Sequence, residues 1–146
     1  MSNGIKIKDY VQEAINLKTY PLNDNDKILL AYSKEIGLVR LVAKGVKKTK
    51  SKLASYVESL VANKLFCRSG RSLDIISSAS SLDTFKNIRN DIVKLMFSMY
   101  LAEVVINLGV EKDPNSFQIY DLLFKALKQI ANTTSKLEFL LVTLRF

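Results

Sequence analysis

Lys44, Lys47, Lys48, Lys50 and Lys52 place five ammonium groups within nine residues, with no acidic residue among them. Like charges at that density repel one another, so such a segment persists most easily with an anion seated on it. A polyanion of regularly spaced charge, a nucleic acid, fits best. The competing reading is a solvated lysine loop that serves solubility. Arg40, Lys27 and Arg71, with Arg68, are further cations that could reach the same phosphates. Lysine is a point charge without the planar fork that reads guanine, so contact tolerant of sequence is expected. Tyr32 and Tyr56 could stack on bases, although an aromatic on a strand more often belongs to a core.

Other chemistries are poorly supplied. The 146 residues contain no histidine and one cysteine, Cys67. Histidine acid–base catalysis, Ser-His and Cys-His nucleophile pairs and an ordinary intrachain zinc site are therefore excluded. Cys67 follows Leu65-Phe66 and reads as a small buried hydrophobe rather than a nucleophile. Asn23-Asp24-Asn25-Asp26 lacks the glycine and closing glutamate of a calcium loop and reads as a polar turn. Asp91 reads as a helix-start or surface residue, and no glycine-rich phosphate loop is present. A protein without turnover, cofactor or metal is expected.

The elements that must position the lysines follow from periodicity. The net charge of +8 is concentrated early: residues 1–82 hold 14 Lys and Arg against 7 Asp and Glu, while residues 83–146 hold 8 against 7. Up to about Leu82 the hydrophobic period is two, the signature of strands. Val11–Leu17 reads as a first strand ended by Pro21, and Lys27–Ser33 as a second with Ile28, Leu30 and Tyr32 on one face. Gly37–Ala43 reads as a third strand running into the lysine loop. Tyr56–Arg68 reads as a long fourth strand, Ser69-Gly70 as a tight hairpin turn, and Arg71–Ser78 as a fifth strand. Five short strands with one long connection between the third and fourth suit an OB-fold barrel, with an SH3-like barrel or an open meander as alternatives. The expected fold class is thus α+β, a five-stranded OB-fold followed by an all-α domain.

Ser77-Ser78-Ala79-Ser80-Ser81 reads as a connector, dividing the chain into residues 1–80 and 81–146. Beyond it the period is helical. Phe85, Ile88, Ile92, Leu95, Met99 and Ala102 form one face, and from Ile92 the opposite side is apolar too, so this helix is expected to be buried nearly all round. Its most apolar stretch, Ile92–Leu108, carries Lys94 and Glu103 and reads as a core helix rather than a membrane span. Asp113-Pro114 is expected to open the next helix, with Phe117, Tyr120, Leu123, Phe124, Leu127 and Ala131 on its apolar face. Ser135–Glu138 resembles a capping box for a last helix carrying Leu137, Leu140, Leu141 and Leu144. The N-terminus is too polar for a signal peptide.

The order of these features resembles the bacterial recombination mediator family RecO. The resemblance rests on Glu13–Thr19, Asp26–Leu29, Lys34–Gly37, Val42–Leu53, Phe85, Arg89–Ile92, Tyr100–Val104, Phe117, Leu122-Leu123, Ala126-Leu127 and Leu144–Phe146. The family pattern Lys-Gly-x-(Lys/Arg)-(Lys/Arg)-x-Lys-Ser-(Lys/Arg) falls on Lys44, Gly45, Lys47, Lys48, Lys50, Ser51 and Lys52. The resemblance implies an N-terminal OB-fold and a helical domain, binding of single- and double-stranded DNA, and annealing of complementary strands. It also implies partnership with RecR and with single-stranded-DNA-binding protein, and indirectly with the RecA filament whose loading it assists. A cytoplasmic, nucleoid-associated location without membrane contact goes with that role. Two departures are visible: Asp24-Asn25 stands where the family usually has Gly-Glu, and the four-cysteine zinc ribbon of many members is absent, as expected of a fragment or shortened product. A different reading is an adaptor whose helical half grips an acidic-hydrophobic peptide, such as the tail of single-stranded-DNA-binding protein, in a groove rimmed by Lys125, Lys128 or Arg89.

Overall fold

The computed structural model describes residues 8–134 together with 141, 142, 144 and 145. Five strands, β1 (Asp9–Pro21), β2 (Lys27–Ser33), β3 (Gly37–Ala43), β4 (Ala62–Arg68) and β5 (Asp74–Asp83), close a barrel in the order β1-β2-β3-β5-β4. All pairings are antiparallel except β3 with β5, a short parallel seam of Leu41–Asp74 and Val42–Ile75. This is the OB-fold barrel expected from the strand count and the single long connection. Closure depends on β1, which pairs with β2 along one edge and β4 along the other. A bulge after Asn16 shifts the register from Asn16–Ala31 to Lys18–Leu30, bending the strand so that it serves both. The barrel interior holds Ala14, Leu29, Ala31, Leu41, Leu65 and Ile76, with the Cys67 thiol buried among them. Burial pushes that thiol up from its ordinary pKa, as expected of a structural cysteine.

Three strand expectations are corrected. The fourth strand starts at Ala62, because Ala54–Val57 forms a 3-10 turn and Leu60 takes a left-handed backbone (φ 62°) that no strand continues through. The buried Asn16 amide holds this turn by donating to the carbonyls of Tyr56 (2.7 Å) and Glu58 (2.8 Å). The β4–β5 connection is five residues, 69–73, rather than a two-residue turn. Ser77–Ser81 is not a connector but the middle of β5, which β4 pairs from Asn63 to Phe66. Its serines read as a linker because Ser77, Ser78, Ser80 and Ser81 are exposed on the strand and need no apolar side chain.

The helical half comprises α1 (Lys86–Arg89), α2 (Ile92–Leu108) and α3 (Ser116–Asn132); Leu141, Val142, Leu144 and Arg145 are also helical. The expected continuous helix from Phe85 is broken at Asn90, and Asp91 caps α2 by accepting from the Val93 (2.9 Å) and Lys94 (3.3 Å) amides. Contrary to the expectation of all-round burial, α2 buries only Ser98, Leu101, Ala102 and Val105, while Ile92, Met96, Met99, Tyr100 and Leu108 are exposed. Among the described residues too few elements surround it to cover an apolar cylinder. α3 starts at Ser116 rather than at Pro114; the Asp113 carboxylate accepts from the Asn115 amide (2.8 Å) ahead of the first turn. Tyr120, Leu123, Leu127 and Ala131 are buried, but Phe117 is exposed, with the Lys34 ammonium 5.4 Å from its ring centroid. The Ser135–Glu138 capping box, Leu137 and Leu140 lie outside the described residues.

The two halves share one core. Ile15, Leu17, Tyr32 and Leu60 from the barrel pack with Phe85, Ile88, Leu101, Leu123, Leu127 and Ile130 from the helices. The α2–α3 connection docks on the β2–β3 hairpin: Leu38 N–H donates to the Val110 carbonyl (3.1 Å) and Asp113 N–H to that of Ile36 (2.9 Å). The Tyr32 hydroxyl donates to Asp113 (3.1 Å) and the Ser116 hydroxyl to the Lys34 carbonyl (2.9 Å). Among the described residues no helix is long and apolar enough to cross a membrane.

Candidate nucleic-acid interface

The lysine loop leaves β3 at Lys44 and is built rather than loose. Gly45 adopts φ 68°, a left-handed turn that glycine takes without strain. Its N–H donates to the Asp26 carboxylate (2.8 Å), which also accepts from the Asn23 side-chain amide (3.0 Å). Val46 then turns inward as a buried plug at the barrel end, packed with Val57. The Lys47 N–H donates to the Asn25 carbonyl (3.0 Å) and its ammonium to that of Asn23 (2.9 Å). Two further turns, Lys48 N–H to the Gly45 carbonyl and Ser51 N–H to that of Lys48, fold the rest. The 22–26 turn is itself closed by Asn23 Oδ1, which accepts from the Asn25 and Asp26 amides (2.9 Å each). The polar turn and the lysine loop are thus one unit.

Lys44, Lys47, Lys48, Lys50 and Lys52 are all exposed. Only Lys47 spends its ammonium on the protein; the other four make no hydrogen bond or ion pair among the described residues. The Gly45 N–H, then the Asn23 amide, then the Lys44 and Lys48 charges hold the Asp26 carboxyl below its ordinary pKa, so it is ionised and fixed to the backbone at neutral pH. Lys27 lies opposite Ala43 in the β2–β3 register, at the barrel end where the lysine loop begins. Arg40 is exposed on the outer side of β3, opposite Leu30. Its neighbourhood is a cleft of about 460 Å³ shared with Ser72, Leu73, Asp74, Glu111 and Lys112. Arg71 is exposed on the 69–73 connection that lines this cleft. Arg68 instead pairs with Asp9 (3.0 Å). The structure therefore groups Lys27 with the loop lysines at one barrel end and puts Arg40 and Arg71 along the adjoining β3 edge.

Of the two tyrosines named from the sequence, Tyr32 takes the core role rather than the stacking one. Tyr32 is fully buried between barrel and helices, and burial together with Asp113 pushes its hydroxyl pKa up. Tyr56 is half-buried, with its carbonyl capped by Asn16 and Asn63. Tyr20 escaped the sequence reading because its exposure depends on strand register. It lies opposite Ile28, which lies opposite Val42, on the outer side of the sheet.

A closed five-stranded barrel of OB-fold order with a clamped basic loop at one end and a helical half sharing its core defines the structural class. Comparison with known proteins narrows the class. The family model "Recombination protein O N terminal" matches residues 7–85, and "Recombination protein O C terminal" matches residues 89–146. The chain belongs to the recombination protein O family. It is 36% identical over 127 residues to the DNA repair protein RecO of Acaryochloris marina, covering 87% of this chain and 43% of that relative. The RecO of Gloeobacter violaceus is 37% identical over 128 residues (88% and 49%), and that of Shouchella clausii 34% over 119 residues (82% and 46%). The chain thus spans less than half the length of these relatives.

Proposed function

We propose that the chain is a non-catalytic DNA-binding module of recombinational repair, gripping phosphates with Lys44, Lys47, Lys48, Lys50 and Lys52 and extending the contact to Lys27, Arg40 and Arg71. One observation carries this reading: the loop is pinned through Asp26, Asn25 and Asn23 while four of its ammonium groups make no hydrogen bond or ion pair among the described residues. A loop needed only for solubility has no reason to be held in one shape. Neutralising phosphates releases counterions, each contact adding about 0.7–0.9 to the salt slope. A charge-dense surface that screens two strands at once would favour their annealing. Through the family, the reading extends to RecR, to single-stranded-DNA-binding protein and to assistance in loading RecA, in a cytoplasmic, nucleoid-associated setting.

The test is fluorescence anisotropy of a labelled single-stranded oligonucleotide at several salt concentrations, wild type against Lys47, Lys48, Lys50 and Lys52 replaced by Ala. Salt-sensitive binding that collapses in the variant is expected, with a slope smaller by about 3 if all four touch phosphate. Binding indifferent to the four changes sinks the proposal.

A protein-docking role for the helical half has one observation in its favour, the exposed apolar run of Ile92, Met96, Met99 and Tyr100 on α2. The cations that would greet an acidic peptide are already engaged. Lys125 pairs with Asp121, Lys128 with Asp83, and the Arg89 guanidinium donates to the carbonyls of Leu60 and Thr84.

A further inference from the structure

The outer side of β1-β2-β3 carries three cross-strand rows. The upper row, Ile15, Tyr32 and Leu38, belongs to the core shared with the helical half. The next row is Lys18, Leu30 and Arg40, and the last, beside the lysine loop, is Tyr20, Ile28 and Val42. Tyr20, Ile28 and Val42 are all partly exposed, while Leu30, between Lys18 and Arg40 in its row, is buried. The Tyr20 hydroxyl makes no hydrogen bond among the described residues. Neither lower row contains an acid. An apolar floor with one aromatic is thus bordered by Lys18 and Arg40 on one side and by the lysine loop on the other.

From this arrangement we infer that Tyr20, Ile28 and Val42 form a short base-stacking floor that gives the module a preference for single-stranded DNA; the inference rests on the DNA-binding reading above. Adjacent strands lie about 4.8 Å apart, so the row is about 10 Å wide, enough for one or two bases. A base on the Tyr20 ring presents its phosphates to the loop lysines and to Lys18 or Arg40, within reach of long flexible side chains. In a duplex the base faces are stacked on each other and cannot reach the ring, so the floor contributes only to single strands, while the lysines serve both. The helical half, by occupying the upper row, limits the floor to this short footprint.

The experiment measures anisotropy of a labelled single strand and of the matching duplex on the full chain, comparing wild type, Tyr20→Ala, Tyr20→Phe and the four-lysine variant. Tyr20→Ala is expected to weaken single-strand binding by about fivefold or more, the low end of what one stacked base contributes. Duplex binding and the salt slope should stay at wild-type values, and Tyr20→Phe should retain wild-type affinity. If Tyr20→Ala binds the single strand like wild type, or loses equally on the duplex, the stacking floor is wrong while the lysine site stands. If wild type binds neither oligonucleotide, the DNA reading fails and takes the floor with it.

Discussion

Asp26 is the residue on which the shape of the lysine loop turns. It is an acid beside five cations, and electrostatics alone would count it against DNA binding. Its carboxylate nonetheless accepts the Gly45 N–H and the Asn23 amide, and so fixes where the lysines point. The two effects predict opposite signs. If presentation matters more than summed charge, Asp26→Ala lowers affinity for single-stranded DNA and speeds amide exchange at Gly45, even though net positive charge has risen. Asp26→Asn, which keeps an acceptor oxygen and loses the charge, binds at least as well as wild type. Tighter binding by the Ala variant would mean that the loop acts only as a cloud of charge. The pH dependence follows from the depressed pKa. A carboxyl lowered on folding contributes its stabilisation above its ordinary value of 3.8 and loses it as pH falls through the lower folded value. The Asp26 carboxyl signal in an NMR titration should therefore have its midpoint below 3.8, with the loop anchor unchanged across the neutral range.

At the scale of elements, the contact that orients the helices on the barrel is the meeting of the β2–β3 hairpin with the α2–α3 connection. Gly37 is the tight point. Its φ is +104°, and a Cβ there would lie 2.7 Å from the Val110 carbonyl oxygen and 3.0 Å from the Asp113 Cβ. Gly37→Ala therefore meets both a left-handed backbone and backbone atoms that must move. Urea denaturation should show a loss of about 1–3 kcal/mol, with the Leu38–Val110 bond weakened. A stability equal to wild type would show that the hairpin and connection are not locked together. The sequence made β2 and β3 plain because two apolar runs, Lys27–Ser33 and Gly37–Ala43, flank the short turn Lys34-Glu35-Ile36. It hid the start of β4 because Leu60, a non-glycine residue at φ 62°, carries no turn signature. It hid β5 because a strand whose outer face is serine looks like a linker. The lysines were legible from their spacing; their clamp was not, since Asp26 and Gly45 meet only once β2 and β3 are in register. The exposure of α2 was misjudged because an apolar helix reveals its composition but not how many neighbours it has.

At the scale of the molecule, charge is divided but packing is not. The excess of Lys and Arg belongs to residues 1–82, yet the larger core cluster takes Ile15, Leu17, Tyr32, Leu60 and Ala62 from the same residues and the rest from Phe85 onward. The outer barrel face that the helices cover is apolar, and would meet water if they came away. A shared core of this kind couples the halves, so the barrel and helices should unfold together even though separate family models match residues 7–85 and 89–146. Leu101, fully buried on α2, is the probe. Leu101→Ala leaves a cavity at the junction and should cost about 2–5 kcal/mol. If the halves form one cooperative unit, native-state hydrogen exchange will show the most protected amides of β1 and β2 losing the same free energy as those of α3. Loss confined to α2 and α3, with the strand amides still at wild-type protection, would show instead that the barrel stands alone and that the helical half is an independent layer upon it.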